Sequence, residues 1–558
     1  MIVFEKIMAF FMSILVTLTG LFLPEIPEAK TEDELSSYAD IFEEYPIGDT
    51  VYVLDPSTFT TTGHRHTAVA LQGLVAKVCP QIFILSSALD TKNLEAIAKS
   101  GSVISRTDEN GNKWTLESLI VRFRDYITDS GYVLYRETPT AEGLNVATNY
   151  ATLNGWLPVP EALEETVINL GLTKKKDISD DIYTYLFQWN FFEQNKDKFR
   201  KDAMIHLNYE MAGLRDAAIQ QGFYTFYIDD DDGGKSFRKR VMEYFGDNAH
   251  VFGWVKYEVK FVDQASSAGN MISPSDHSYN VSLLSSLNAE IPEQKAAKDT
   301  YTDPDKHYCA LVMSDGDNVQ WVQNGYREFY KKISLENNFP VTWSFPPMLQ
   351  DASPVTVNMI YSDATTEDYF MAGVSGAGYM HPTQYPKKAL ADFTDITAEA
   401  MRKSGLNYVQ LIDTTPENEI EELKLTNTLK YYSRYENIRG GVVSLDPDRY
   451  AGGQGRIWFV DDKPFITYRL SLWHPSGNMS EATHEWLDAQ AETVNSYPAD
   501  INSINGYSVI NIHPWTISID SLSYFVSKLD EDVVLVTVDE LIDMIKTNVP
   551  HESAEITQ

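Results

Sequence analysis

The stretch Ser314-Asp315-Gly316-Asp317-Asn318 sets two carboxylates two residues apart, directly after the apolar run His307 to Met313. In a continuing strand, Asp315 and Asp317 point to the same face. Two carboxyls that close can share a proton, so that one becomes a general acid while the other stays ionised. The same pair could chelate a hard divalent cation. The structural alternative is a helix start, with Asp317 or Asn318 as cap and Gly316 easing the turn. Further polar residues follow other apolar runs: Asp413 and Glu417 in "LIDTTPEN", Asp446 in "SLDPDRY", Trp473 and His474 in "LWHP", His513 and Trp515 in "IHPW", then Asp539 and Glu540. Carboxylates move protons or attack, imidazoles donate to hydroxyls or ligate metals, and an indole face covers the C–H face of a sugar. Against these stand an Asx turn before Pro416, an ordinary Asp-Pro-Asp turn at Asp446, and buried histidines beside core tryptophans.

A second stretch, "GVSGAGYMHPTQYP" (Gly373 to Pro386), holds three glycines, two tyrosines, a histidine and two prolines in fourteen residues. That is too many breakers for a helix or strand interior. Glycine lets backbone lie close to a ligand, and tyrosine and histidine offer polar tips on flat rings. Gly376, Gly378, Tyr379 and His381 are therefore expected in the wall of a carbohydrate site.

The elements that would position these residues alternate along the chain. "TVYVLD" and "QIFILS" read as strands flanking the helical spacing of "GHRHTAVALQGLVAK", a β-α-β unit with parallel pairing. A second unit spans "GYVLYR" to "WLPVP", and Lys174 to Lys176 mark an exposed turn. A third has a long helix from about Ile182 to Gln221, strands at "FYTFYID" and "AHVFGWV", and a loop with Ser273, Ser275 and Asp276 as candidate caps. Past the polar segment "EIPEQKAAKDTYTDPDKH" come eight β-prone runs with helical segments between most of them. The expected fold class is α/β: small N-terminal βαβ modules, then a C-terminal (β/α) barrel, complete or distorted. Boundaries fall at 1–29, 40–140, 141–225, 226–297 and 300–549. In such a barrel the strand C-termini carry the active site, where the residues above would converge.

Composition narrows the partners. The 558 residues carry 45 basic and 80 acidic side chains, a net charge of −35. That field repels nucleic acid and anionic lipid surfaces. Cys79 and Cys309, each in an apolar context, make neither a disulfide framework nor a metal knuckle. "DDDDGG" (Asp229 to Gly234) lacks the spaced ligands of a calcium loop, and His64 and His66 are off helical facing. The apolar run Ile7 to Leu23 behind one lysine reads as a signal peptide or an uncleaved anchor, with a buried helix as the alternative. Either export reading places the body outside the cell or at its surface, and any membrane contact in that segment alone.

"GAGYMHP" (Gly376 to Pro382) resembles the signature of the GxGYxYP family of bacterial glycoside hydrolases, with His381 where the signature has its second tyrosine. "VMSDGDNVQW", "NVSLLSS" and "ATNYATLNGWLPVP" are similar to other stretches of that family, so the resemblance covers roughly Asp40 to Val549. It implies an exported protein of N-terminal α/β modules and a C-terminal catalytic domain. The expected activity is hydrolysis of an oligo- or polysaccharide without a cofactor. Asp315 or Asp317 would take one carboxyl role and Asp413 or Glu417 the other. Asn318, Tyr379, His381, Trp473, His474, His513 and Trp515 would position sugar. A metal-dependent carbohydrate deacetylase, with a divalent ion at Asp315, Asp317 and His513, is one alternative. A glycan-binding protein without turnover is the other.

Overall fold

A computed structural model of the chain describes residues 26–38, 40–137, 141–181, 185–228, 232–294, 302–324, 339–551 and 556–557. The apolar run Ile7 to Leu23 lies outside them, as does part of "DDDDGG". Among the described residues no helix is long and apolar enough to cross a membrane.

Three small parallel sheets come first. β1 (Thr50–Leu54), β2 (Ile82–Ile84) and β3 (Val103–Ser105) form the order β2-β1-β3. The helix Thr62–Ala76 connects β1 to β2, as its apolar spacing predicts, and Thr61 caps it by accepting from the His64 amide. β4 (Gly131–Tyr135), β5 (Leu157–Pro160) and β6 (Thr173–Asp177) form the second sheet, in the order β5-β4-β6. The lysine run is thus an exposed edge strand rather than a turn. β7 (Ala203–His206), β8 (Tyr224–Phe226), β9 (His250–Gly253) and β10 (Met271–Ser273) form the third, in the order β10-β9-β7-β8.

These pairings move the expected boundaries. β4 belongs with β5, so the second unit starts near Gly131 and not at 141. β7 and β8 share a sheet with β9 and β10, so no boundary falls at 225/226. The single helix expected from Ile182 to Gln221 is two helices, Tyr185–Asn195 and Arg215–Gln221, with buried β7 between them. Short apolar strands inside helix-compatible sequence are easily absorbed into the longer pattern. The loop expected around Ser273 is β10, and Asn280 occupies the N-cap position of the following short helix.

The C-terminal half holds one large curled sheet. Its strands are β11 (His307–Met313), β12 (Val341–Phe345), β13 (Asp368–Ala372), β14 (Tyr408–Thr414), β15 (Gly440–Asp446), β16 (Ile457–Val460), β17 (Lys463–Thr467), β18 (Leu470–Leu472), β19 (Tyr507–Ile512), β20 (Val533–Val536) and β21 (Ile556–Thr557). All eight expected runs are strands. β11 to β15 pair in sequence and in parallel, while β19 and β20 pair with β11. β17 pairs with β15, and three residues on β18 pairs with β19. One extended stretch, Lys463 to Leu472, therefore meets the strands at both ends of the run. β16 is an antiparallel addition, turned onto β17 by Asp461 and Asp462, both at positive φ as a two-residue hairpin requires.

Both faces of β11 are buried, which is why its sequence is apolar without alternation. Tyr308, Ala310 and Val312 pack on one side with Tyr369, Tyr408, Tyr468 and Tyr507. Cys309, Leu311 and Met313 pack on the other, in a core continuous with Ile205, Phe252 and Met271 of the third sheet. Third unit and C-terminal sheet thus share one core.

Candidate active site

β11 ends at Met313, and the chain turns sharply. Asp315 adopts positive φ (62°), a backbone that costs a non-glycine residue energy and tends to occur at functional sites. Gly316 passes so close to β12 that a Cβ there would lie 2.0 Å from Ser344 Oγ. Ser314 Oγ donates to Asp315 Oδ2 at 2.6 Å, and His513 Nε2, from the end of β19, lies 3.8 Å from the same oxygen. The His513 ring is stacked face to face on Trp473, from the end of β18, with centroids 3.8 Å apart. Its Nδ1 is held by Thr516 Oγ1 at 3.1 Å. Burial lowers the His513 pKa, and the Asp315 charge opposes that shift.

Asp317 sits in the same turn. Enclosure by protein pushes its pKa well above the carboxylate range, and the charges of Asp315 and Glu258 push it further. Glu258 comes from outside the C-terminal sheet, as the first residue of the helix Glu258–Ser267 that follows β9. By surface area it is exposed, although enough protein surrounds its carboxyl to desolvate it. That enclosure raises its pKa, with Asp315 and Asp446 adding to the rise and a hydrogen bond from Tyr379 opposing it. Tyr379 Oη donates to Glu258 Oε1 at 2.9 Å. Tyr450 faces the same group. Burial first, then the charges of Asp315, Glu258, Asp317 and Asp446, lift its hydroxyl well above the usual value. It follows two residues that also have positive φ, Asp448 and Arg449. Burial raises Asp446, while His381 partly offsets the rise. The result is four carboxyl groups from two strand ends and a neighbouring unit, with tyrosine, imidazole and indole around them.

The signature segment lies elsewhere than expected. Tyr379 and His381 are 5% and 6% exposed, so neither ring forms an open wall. The segment is instead a strap on the third unit. Tyr379 exchanges two backbone hydrogen bonds with Ile272 of β10, at 2.7 and 3.0 Å. Gly378 passes β10 where a Cβ would stand 2.9 Å from Met271 Cβ, and Gly376 has φ of 104°. The His381 amide donates to Ser266 Oγ at 2.9 Å, and His381 Nδ1 lies 3.2 Å from Asp263 Oδ1. Trp254 stacks on Tyr379 with centroids 6.4 Å apart. One helix, Glu258–Ser267, thus takes contacts from both Tyr379 and His381. These contacts position the helix.

Several other expected residues are engaged in structure. Asp413 Oδ2 accepts from the Thr383 amide at 2.7 Å and Oδ1 from Thr383 Oγ1 at 2.6 Å, so it braces the strap with both oxygens. Glu417 is exposed, and its amide donates to Glu421. Asn318 Oδ1 accepts from the Trp321 amide at 3.0 Å and caps the helix Val319–Asn324, as the structural reading held. His474 Nδ1 pairs with Ser476 Oγ at 2.8 Å, and its ring meets Trp486. Trp515 is 48% exposed, with Trp321 against it at 6.3 Å. Glu540 closes a capping box with Thr537. Asp539 lies near Tyr369 and Tyr408, which start their strands, so it belongs to the other end of the sheet. Among the described residues no three His, Cys, Asp or Glu side chains are grouped to hold a metal ion.

Sequence reading missed Glu258, Tyr450 and Asp446's neighbourhood with them. "KYEVK" around Glu258 has no motif; the only available signal was its place just after β9, at the carboxyl end of a parallel strand.

Three domain families match the chain in order: the GxGYxYP_N second domain at residues 130–193, the GxGYxYP third domain at 202–286, and the "GxGYxYP putative glycoside hydrolase C-terminal domain" at 305–546. A solved structure described as a "putative hydrolase" from Bacteroides thetaiotaomicron is similar, with 25% identity and a TM-score of 0.81. The match covers 91% of this chain and 97% of that one. No curated protein matches the sequence.

Proposed function

The chain belongs to the GxGYxYP family, and we propose that it is an exported glycoside hydrolase whose active site is the carboxyl cluster at the strand ends of a distorted (β/α) barrel. The barrel reading rests on the stretch Lys463 to Leu472, which pairs with β15 and then with β19. The observation that carries the activity is the grouping of Asp315, Asp317, Glu258 and Asp446: burial and mutual charge raise the proton affinity of Asp317 and Glu258, while Ser314 donates to Asp315 Oδ2 and His513 lies 3.8 Å from that oxygen.

Hydrolysis needs one carboxylate that attacks the anomeric carbon or activates water, and one carboxyl that protonates the leaving oxygen. Asp315 suits the first role: Ser314 orients it, and His513 stands beside it. Asp317 and Glu258 both favour the protonated form and are the two candidates for the second. The charged groups acting on Asp317 and Glu258 are all acidic, which suits a neutral glycan. Trp515, exposed near the same strand ends, suits stacking on a sugar ring outside the centre. The apolar run Ile7 to Leu23 supports export.

The test is incubation of the purified chain with bacterial, plant and host glycans, read by mass spectrometry with and without chelator. New reducing-end fragments, unchanged by chelator, are expected. The Asp315–His513 contact favours one second reading, a metal-dependent deacetylase, and loss of acetyl mass abolished by chelator would select it.

A further inference from the structure

We infer that the proton donor to the leaving glycosidic oxygen is Glu258, presented from the third unit by the Tyr379–His381 strap, and that Asp317 is not the donor. This assignment rests on the hydrolase reading above.

The argument is geometric. In glycoside hydrolysis the acid and its partner carboxylate flank the scissile bond from different sides. Asp315 and Asp317 belong to one tight turn, closed by the Asn318 amide donating to the Asp315 carbonyl at 3.1 Å. Both therefore reach substrate from the end of β11. Glu258 starts a helix of the third unit, so it reaches the cluster from a separate element, close enough to feel the charges of Asp315 and Asp446. Its side chain keeps solvent exposure, so a leaving group and water can both approach it.

The strap explains how a residue on another unit is held to the tolerance catalysis requires, where a displacement of about 1 Å can cost on the order of 10²-fold. Tyr379 grips Glu258 Oε1 directly, and its backbone pairs with β10. Farther along the same helix, His381 engages Ser266 and Asp263. The helix is fixed at its first turn and again nearer its end. With Oε1 accepting from Tyr379, Oε2 is the oxygen left to carry the proton. The groups facing Glu258 are Tyr379, Asp315, Asp317, Asp446 and Tyr450; desolvation and the charges of Asp315 and Asp446 favour its neutral state at the start of the reaction, and the Tyr379 hydrogen bond opposes them. In the step itself the Glu258 proton passes to the glycosidic oxygen as the C1–O bond breaks and C1 bonds instead to the Asp315 carboxylate or to the oxygen of a water that Asp315 deprotonates. The carboxylate left behind recovers a proton from the water that completes hydrolysis.

The experiment uses the full chain and pairs of aryl glycosides of neutral hexoses and N-acetylhexosamines. One member of each pair leaves as 2,4-dinitrophenolate, which needs no acid, and the other as 4-methylphenolate, which does. In E258Q, kcat for the methylphenyl glycosides should fall on the order of 10²- to 10⁴-fold, with less than about tenfold loss on the dinitrophenyl partners. In Y379F, which removes the hydrogen bond that favours ionised Glu258, the basic limb of kcat/KM should move to higher pH. Equal losses on both leaving groups in E258Q, or the leaving-group-dependent loss appearing in D317N, would overturn the assignment while leaving the hydrolase reading standing. A basic limb unmoved in Y379F would also overturn it. A wild-type chain that cleaves neither member of any pair removes both.

Discussion

Two ends of the curled C-terminal sheet hold enclosed carboxyl groups, and their surroundings differ in kind. At the strand C-termini, Asp315, Asp317, Glu258 and Asp446 face one another, with few of their oxygens committed to backbone. At the strand N-termini, burial pushes Asp539 up to about 7, and its neighbours are the hydroxyls of Tyr369 and Tyr408 and the capping residues Thr537 and Glu540. A raised pKa therefore does not mark a catalytic group here. What separates the ends is company: acids from two units face one another at one, whereas at the other Asp539, Glu540 and Asp543 all come from one helix, Val538–Asn548, and meet tyrosine hydroxyls and a cap. Parallel α/β architecture assigns chemistry to the first end and stability to the second.

The largest effect that would sharpen this contrast is at Asp315. D315N should lower kcat by about 10²- to 10⁴-fold with an unchanged melting temperature, because the side chain serves the cleft more than the core. If D315N kept full activity, the two ends would be functionally alike. Asp413 is an intermediate case, at the C-terminal end of β14 yet spent on Thr383. D413N should cost about 1–3 kcal/mol of stability, read by denaturant melts, with a smaller loss of kcat than D315N. A D413N protein as stable as wild type but as inactive as D315N would put Asp413 back among the reacting groups.

The smallest effect on activity is expected from D539N, whose signature is in stability. The folded Asp539 carboxyl titrates at about 7 and the unfolded one near 3.8. Between those values the folded chain holds the extra proton, so this group makes stability fall as pH rises from about 4 to about 7. D539N lacks the term. Its melting temperature relative to wild type should thus be higher at pH 7 than at pH 4, with kcat near wild type at both. Asp351, also pushed up to about 7, titrates with the same sign in both proteins and cancels from the comparison.

The strand-end polar and aromatic residues were legible in the sequence because they directly follow apolar runs: Asp315 and Asp317 after β11, His513 after β19, Trp473 after β18. The alternation of those runs also revealed the sheet. What was not legible depended on contacts between distant segments. Asp413 looks free until Thr383 folds back onto it. Tyr379 and His381 look like a sugar wall until β10 pairs with the strap and buries both rings. Asn318 could act or cap, and the Trp321 amide decides for the cap. Glu258 carries no motif, and only the docking of the third unit brings it to the cluster. β7 was hidden inside a helical pattern because a strand of four residues is too short to break a longer periodicity.

The most direct test of the central claim is to incubate wild type and D315N with the same glycan panel in ¹⁸O-labelled water and read the products by mass spectrometry. The account predicts new reducing ends carrying one ¹⁸O with wild type, with or without chelator, and almost none with D315N. Labelled ends in equal yield from both proteins, or from neither, would contradict it.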